Sequence, residues 1–241
     1  MKLGRLGAWS FMEGMTAQEM VTWAQGLEAA GYAALWMPEA LGRNALVTSG
    51  WLLANTQNLV IATGIANIYA RDAMAMAAAQ KGLAEQSGGR FLLGLGVSHA
   101  PLVADLRGHD YGRPVATMRA YLDGMAQSPY VAPMPTERPL TVLAALGPKM
   151  LELARDHADG AHPYNSTPEH TAQARAILGD GKLLCVEQMF VAETDPAKAR
   201  AIAREGLAPY MALPNYSNNW ARLGFVEADW ADGGTDRLID A

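Results

Sequence analysis

The stretch "GGRFLLGLGVSHAP", residues 88–101, is the segment from which the fold is most directly inferred. Its centre, from Phe91 to Leu95, predicts a short buried strand because it is apolar and bounded by glycines. The strand runs into Gly96 and then into polar residues, with His99 at the tip. Three interpretations fit this pattern: a glycine motif that cradles a phosphate, the rim of a barrel active site, or a tight turn.

The first interpretation rests on a partial match to the dinucleotide-binding fingerprint. Gly94 and Gly96 follow a strand as that fingerprint requires, but His99 stands where its third glycine belongs. The unit is also the fourth along the chain, and no acidic residue follows at a second strand end about 20 positions later. The rim of a parallel barrel is therefore the favoured interpretation.

The rest of the chain alternates short apolar segments with helical segments that start at capping residues. Thr16 and Glu19 form a capping box, and Asp72 stands at an N-cap position. Strands that alternate with helices predict a parallel sheet, here of seven strand–helix units of roughly 25 to 35 residues each. The predicted strands are residues 3–10, 32–39, 59–66, 91–95, 139–145, 160–164 and 182–194.

We predict a TIM (β/α)8 barrel of the α/β class, in one domain that spans residues 1–241. An open doubly wound sheet is the alternative, but eight such units close into a barrel at roughly 250 residues. After Leu213 the chain turns polar and aromatic and ends without an eighth apolar strand. The barrel is therefore expected to lack its last β/α unit.

Composition excludes several classes of function. The formal net charge is -5 and no run of Lys or Arg stands out, so nucleic acid is not an expected partner. The single cysteine, Cys185, excludes an internal disulfide and indicates a reducing compartment, so a cytoplasmic location is predicted. No apolar run is long enough to predict a membrane span. No zinc, hydrolase or phosphate-loop motif is present, so no metal is expected.

The carboxyl ends of the predicted strands nominate the site, because the active site of a parallel barrel lies at that face. Glu39 and His99 are the candidate catalytic residues, since each follows an apolar strand directly. His162 is a second candidate for proton transfer. The plainer alternatives are an exposed loop histidine for His99 and, for Glu39, an ion pair with Arg43. His157 and His170 are predicted to be surface residues.

Two helix starts late in the chain are candidates for binding a phosphate. Gly147 and Pro148 begin one predicted helix, and Thr167 and Pro168 begin the next. Free backbone N–H groups at a helix start can hold an anion, and Asn165 with Ser166 would add side-chain donors. Ordinary helix capping is the alternative for each start taken alone.

In order and spacing, these segments resemble the luciferase-like monooxygenase superfamily, and within it the deazaflavin-dependent oxidoreductases of actinobacterial type. The resemblance covers Leu3 to about Arg204, and the segments that carry it are "EAAGYAALWMPE", "LVIATGIANIYARDAMAMAAAQKGLAEQSGGRFLLGLGVSH", "ATMRAYLDGM", "AALGPKMLELARDHADGAHPYNSTPEHTAQAR" and "FVAETDPAKAR". This chain differs from the family in two ways. The family continues into an eighth strand and helix. The family also has more cationic residues that contact the phosphate, whereas Lys149 is the only nearby candidate here.

The resemblance implies a barrel whose open end holds a flavin or deazaflavin. Gly64, Ile65 and Ala66 would form a backbone bulge, often with a non-proline cis peptide, that supports the ring. Glu39 would lie near the cofactor, and His99 occupies the position of an acid/base residue in some members. The phosphate-binding loops would be Gly147 and Pro148 with His162, Tyr164, Asn165, Ser166 and Thr167.

The function that follows is hydride transfer between the deazaflavin coenzyme F420 and a small organic substrate. Two alternatives stay open: a monooxygenase that uses flavin mononucleotide (FMN), and a non-catalytic flavin-binding barrel. The apolar composition and the open end make a homodimer plausible.

Overall fold

Parallel β-strands form one curled sheet in the computed structural model, which describes Met1 and residues 3–241. The strands are β1 (Gly7–Trp9), β2 (Ala34–Met37), β3 (Val60–Thr63), β4 (Ala66–Asn67), β5 (Phe91–Gly96), β6 (Leu140–Leu143), β7 (Gly160–Ala161) and β8 (Leu183–Leu184). Their order in the sheet is β1-β2-β3-β5-β6-β7-β8, and the short β4 pairs with β5 beside this path.

Helices join the strands and continue beyond the last one. They are α1 (Ala17–Ala29), α2 (Ala45–Ala54), α3 (Ala73–Gln86), α4 (Pro114–Gln127), α5 (Pro148–His157), α6 (Pro168–Leu178), α7 (Pro196–Met211), α8 (Pro214–Arg222), α9 (Glu227–Trp230) and α10 (Asp236–Ile239). The capping box of Thr16 and Glu19 begins α1, and the side chain of Asp72 caps α3, as predicted.

The sheet curls because its two faces bury different side chains. In β2, Leu35 and Met37 pack into the core between sheet and helices, while Ala34 and Trp36 point to the other, inner face. The inner cluster consists of buried residues from four strands: Ala34, Trp36, Val60, Ala62, Leu92 and Val142. A sheet that buries its second face without helices must wrap around that face.

The curl brings the first and seventh strands together without closing the barrel. The ring of Trp9, in β1, lies 5.0 Å from the ring of Tyr164, which follows β7. In the described chain, the hydrogen-bonded path nevertheless ends at β1 on one side and at β8 on the other. The parallel, barrel-like α/β fold and the open sheet agree with the prediction. The number of barrel units stays a prediction.

Gly94 and Gly96 of the quoted stretch lie inside β5, whereas Gly88 and Gly89 lie in the turn before it. At Gly94, a Cβ atom would overlap the carbonyl oxygen of Thr63, and at Gly96 it would lie 2.5 Å from Cγ1 of Ile65. Thr63 Oγ1 also accepts from the Gly94 N–H at 2.9 Å. Gly94 therefore admits the backbone of the preceding strand and Gly96 admits the side chain of Ile65, so the dinucleotide-binding interpretation is wrong.

The longest predicted strand is the one that the structure shortens most. Residues 182–194 were expected to be extended throughout, but only Leu183 and Leu184 form a strand. Cys185 and Glu187 still donate their N–H groups to Ala161 and Pro163. Because β8 is the edge of the sheet, no strand on its outer side pairs with the rest of this segment. The first and sixth predicted strands are also shorter, at Gly7–Trp9 and Gly160–Ala161.

The two helical histidines differ in their surroundings. His157 is exposed, as predicted, but His170 is only 2% exposed, so the surface prediction for it is wrong. Its Nε2–H donates to the carbonyl of Leu146 at 2.8 Å, which joins the start of α6 to the end of β6.

A buried ion pair joins the loops at one side of the sheet's carboxyl end. Glu39 follows β2 and pairs with Arg71, and their side chains are 4% and 11% exposed. The Glu39 carboxylate also accepts from the N–H groups of Asn67, at 3.0 Å, and Ala45, at 3.3 Å. Arg43 instead donates to backbone carbonyls of the β1–α1 loop, so the predicted partner was wrong.

Replacing Glu39 by Gln should lower the free energy of unfolding by about 3 to 5 kcal/mol, because Arg71 would be left as an uncompensated buried charge. Urea denaturation of the purified variant measures this loss. The control is Glu13→Gln, since Glu13 is an exposed carboxylate that accepts from the backbone N–H of Arg43. A loss for Glu39→Gln as small as the control's would contradict the prediction.

Gly96→Ala should destabilise the protein by about 1 to 3 kcal/mol, since the added methyl would meet Ile65 in a packed interior. In contrast, Gly26→Ala in α1 meets nothing within 4 Å and should stabilise the helix by about 0.5 to 1 kcal/mol. Thermal unfolding of both variants compares them. Combining Gly96→Ala with Ile65→Val should recover part of the loss; two destabilisations that simply add would argue against this contact.

Candidate functional site

The carboxyl ends of the strands surround an opening of the curled sheet, which we call the mouth. Its inner wall is aromatic: Trp36 stacks on His162 with ring centroids 4.5 Å apart, and Trp9 packs against Tyr164. The Nε1–H of Trp9 donates to the carbonyl of Gly64 at 2.9 Å. These flat side chains come from β1, β2 and the loop after β7, so only the curl brings them together.

A cis peptide bond joins Gly64 to Ile65 at the end of β3, at the position where a backbone bulge was expected. A Cβ atom on Gly64 would lie 2.7 Å from Nε1 of Trp9 and 2.9 Å from Nε2 of His162. Only glycine therefore allows the two rings to approach the backbone here. Ala66 begins β4 directly afterwards and is fully buried.

His162 offers the mouth a hydrogen-bond acceptor. Its Nδ1 lies 2.6 Å from the carbonyl oxygen of Cys185, and since a carbonyl only accepts, Nδ1 carries the proton. Burial lowers the pKa of His162 to about 4, and the hydrogen bond to Cys185 only partly opposes this. The ring is therefore neutral at pH 7, and its Nε2 has no partner among the described residues.

The two predicted catalytic residues are not brought together by a contact. The carboxylate of Glu39 is held by Arg71 and two backbone N–H groups, as described above. His99 follows β5, and its ring centroid is 5.9 Å from that of Tyr216. Burial lowers the pKa of His99 and the neighbouring Asn215 partly opposes the shift, so the neutral imidazole is favoured.

The two predicted phosphate loops do lie next to each other. Gly147 is the N-cap of α5 and has no side chain to satisfy the free N–H groups there; Pro148 follows it. Thr167 caps α6 by accepting from the N–H of His170 at 3.3 Å. The helices α5 and α6 pack side by side. Their starts therefore face the same part of the mouth.

Several buried donors in this region have no partner among the described residues. They are the side-chain amides of Asn165 and Asn219 and the hydroxyl of Ser166, at exposures of 8%, 2% and 2%. Buried polar groups are normally satisfied, so these donors are available to an acceptor on a ligand or an ordered water.

A cation that the sequence did not predict lies beside these donors. Arg222, at the end of α8, approaches to 3.7 Å from where a Cβ of Gly147 would stand. It donates to the side-chain oxygen of Asn219 at 3.2 Å, and no carboxylate lies within ion-pair distance of it among the described residues. Burial lowers the pKa of Arg222. The sequence suggested Lys149 as the only cation near the phosphate loops, but Arg222 lies beside them as well.

Sequence reasoning missed Arg222 and Asn219 because they lie about 75 residues beyond the loop they approach. The signal available was the polar and aromatic segment "PNYSNNWAR", which forms α8 and places Asn219 and Trp220 on its buried side. Nothing local in that segment identifies the strand end that it covers.

Three tyrosines, Tyr164, Tyr210 and Tyr216, cover the mouth and are called the tyrosine cover. The hydroxyls of Tyr164 and Tyr210 lie 2.8 Å apart, and the ring of Tyr216 lies 5.1 Å from that of Tyr210. Since Tyr210 belongs to α7 and Tyr216 to α8, the chain after β8 folds back over the strand ends. Such a cover keeps water from the groups beneath it.

The described part of the chain, Met1 and residues 3–241, offers neither a cluster for a metal ion nor a helix for a membrane. No group of three or more His, Cys, Asp or Glu side chains is placed to hold a metal ion there. In the same residues, no helix is both long and apolar enough to cross a membrane.

Two sequence relatives cover most of the chain. A protein of Mycobacterium tuberculosis, assigned as a coenzyme F420-dependent oxidoreductase, is 28% identical over 88% of this chain and 72% of its own length. The 5,10-methylenetetrahydromethanopterin reductase of Methanolobus tindarius is also 28% identical, over 76% of this chain. The chain spans 64% of that reductase, slightly less than two thirds of its length.

Two solved structures share the fold. An F420-dependent secondary alcohol dehydrogenase in complex with an F420–acetone adduct has a TM-score of 0.71 and 15% identity, covering 95% of this chain and 84% of its own. The oxygenating constituent of the 3,6-diketocamphane monooxygenase of Pseudomonas putida, solved with FMN, has a TM-score of 0.65 and 15% identity. It covers 98% of this chain and 82% of its own.

The match to a family model extends over nearly the whole chain. Residues 2–231 match the model of the luciferase-like monooxygenases. The aromatic mouth, the glycine that admits it and the two adjoining helix starts all lie within these residues. The chain therefore belongs to the luciferase-like monooxygenase family.

Proposed function

We propose that this protein is an oxidoreductase that uses the deazaflavin coenzyme F420 to transfer a hydride to or from a small organic substrate. The observation that carries the proposal is the set of unmatched buried donors beside Arg222, at the same mouth as the aromatic wall. One part of the site fits a phosphate and the other fits a flat ring. The similarity to two F420-dependent proteins supports this choice of coenzyme.

The flat part of the site consists of Trp9, Trp36 and His162 around the backbone of Gly64. Planar side chains and a glycine without room for a Cβ suit a fused-ring coenzyme, which binds mostly through apolar contact and stacking. The acceptor on His162 Nε2 would receive a hydrogen bond from a ring N–H. Ile65 and Ala66 would support the ring from below.

The phosphate would bind where α5 and α6 begin. Gly147 has no side chain that could accept from the first N–H groups of α5, and Thr167 occupies the equivalent N-cap position in α6. Ser166 would donate its hydroxyl hydrogen and Arg222 its guanidinium N–H groups to the phosphate oxygens. Hydrogen bonds between a cation and a phosphate are stronger than those between neutral groups. Asn165 and Asn219 would complete the set of donors, and Tyr164 would lie between phosphate and ring.

When bound, the deazaflavin supplies the hydride chemistry, and the protein binds, orients and excludes water. The tyrosine cover would do the last of these by closing over the ring. A role for His99 in proton transfer at the substrate stays a prediction from the sequence. Glu39 would act by holding Arg71 and the β4 backbone in place, since its carboxylate is fully engaged.

An FMN-dependent monooxygenase is the second candidate, favoured by the similar fold of a protein solved with FMN. A flavin ring would fit the same aromatic wall, and its phosphate monoester would use the same donors. A non-catalytic flavin-binding barrel is the third candidate and would show binding without turnover. A homodimer and a cytoplasmic location stay predictions from the sequence.

A paired titration with coenzyme F420 and with FMN separates these candidates. We expect F420 to bind with a dissociation constant of about 10 μM or lower, and FMN to bind at least about tenfold more weakly. Quenching of ligand fluorescence measures both. Tighter binding of FMN would favour the monooxygenase, and no binding of either would contradict the proposal.

Arg222→Gln should weaken F420 binding about tenfold, or about 1.4 kcal/mol, because it removes one charge-assisted contact to the phosphate. The matched control is Arg155→Gln, which removes an exposed guanidinium of α5 that pairs with Asp156. Comparing FMN with riboflavin, which lacks the phosphate, tests where the effect arises. A loss of equal size for riboflavin would mean that Arg222 does not contact the phosphate.

A further inference from the structure

Glu187 points into the mouth from the last strand of the sheet. The backbone hydrogen bonding between β7 and β8 continues beyond the residues of these two strands. The N–H of Cys185 donates to the carbonyl of Ala161, and that of Glu187 donates to the carbonyl of Pro163. Side chains alternate along a strand, so residues 183, 185 and 187 share one face. Leu183 and Cys185 pack against the inner cluster, which places Glu187 on the inner face too.

The Glu187 carboxylate is buried without a cation. Its residue is 8% exposed, and its recorded hydrogen bond is from the N–H of Asn165 to Oε2 at 3.1 Å. No Lys, Arg or His nitrogen lies within 4.0 Å of it among the described residues. A buried carboxylate with one hydrogen bond and no counter-ion is costly, and the cost falls if it takes up a proton.

The titratable groups that face Glu187 are the three phenols of the tyrosine cover. Tyr164 comes from the neighbouring strand end, Tyr210 from α7 and Tyr216 from α8. Burial raises the pKa of each phenol and the charge of Glu187 raises it further, so all three are neutral. Burial likewise raises the pKa of Glu187, and the hydrogen bond from Asn165 only partly opposes this.

The other groups of the inner wall hold no proton to give. The pKa of His162 is lowered to about 4 and its single N–H is committed to the carbonyl of Cys185. Neutral tyrosines with raised pKa values are weaker acids than a carboxyl group. A reaction beneath the cover that needs a proton therefore has Glu187 as its nearest carboxylic acid on this wall.

We propose that Glu187 is the proton donor and acceptor of the mouth, and that the substrate is a polar double bond, C=O or C=N, or its reduced form. This inference rests on the proposed function, which provides the reductant. In reduction, a hydride forms the new C–H bond, the π bond breaks toward O or N, and that atom takes the proton of Glu187. The carboxylate then regains a proton from solvent. Oxidation of the alcohol or amine runs the same steps in reverse.

The first test needs neither coenzyme nor substrate. Since the pKa of Glu187 is raised in the folded protein, its contribution to stability is present at low pH and is lost as pH rises. Glu187→Gln lacks this loss, so its urea midpoint relative to wild type should increase between about pH 5 and pH 8. The control, Glu205→Gln, changes an exposed carboxylate of α7 and should show no such trend. A pH-independent difference for Glu187→Gln would overturn the inference.

The second test is turnover with F420 and the probes acetone, propionaldehyde and cyclohexanone, run against their alcohols. Glu187→Gln should lower kcat about 100-fold with little change in the KM for coenzyme, and Glu187→Asp should recover part of it. Wild-type reduction should fall as pH rises and oxidation should increase, and Glu187→Gln should abolish both trends. If His99→Gln abolishes them and Glu187→Gln does not, the inference is wrong.

The outcomes separate the two proposals. If wild type binds F420 and turns over none of these probes or the corresponding imines, the substrate class is wrong while the proposed coenzyme stands. If wild type does not bind F420, the proposed function fails, and the unfolding experiment alone decides whether Glu187 holds a proton.

Discussion

The close approach of β5 to the segment from Thr63 to Ile65 is the contact on which the mouth depends. Two glycines without side chains, Gly94 and Gly96, let that backbone and the side chain of Ile65 lie directly on the strand. The segment can then turn through its cis peptide and resume pairing with β5 as β4. The turn exposes the carbonyl of Gly64 to Trp9 and so fixes the aromatic wall.

Electrostatics divide the mouth into three regions of different character. On one side, Glu39 and Arg71 neutralise each other and are committed to the backbone. Near α5 and α6, donors exceed acceptors, which suits an anion. Beneath the tyrosine cover, Glu187 has no cation within ion-pair distance among the described residues, and burial raises its pKa. An unpaired buried charge costs several kcal/mol, so each region specifies what can bind there.

Much of this arrangement follows from local patterns. The sequence predicts the apolar segments of β2, β3 and β5 and the caps at Thr16 and Asp72. It also predicts the position of the bulge at Gly64. The short length of the strand within residues 182–194 was not predicted. A run of apolar residues has the same pattern whether its outer side is paired with another strand or is an open edge. The surface prediction for His170 was wrong for a similar reason, since helical periodicity does not reveal that the ring bonds to the carbonyl of Leu146.

By itself, the sequence determined the parallel α/β class and the strand ends that surround the site. Those features depend on periodicity, capping and turn residues, which act over a few neighbouring positions. Only the tertiary structure decided which groups meet: Arg71 with Glu39, Arg222 beside Gly147, and Glu187 with the N–H of Asn165. Such partners lie tens of residues apart in the chain, and the curl of the sheet and the fold-back of α7 and α8 bring them together.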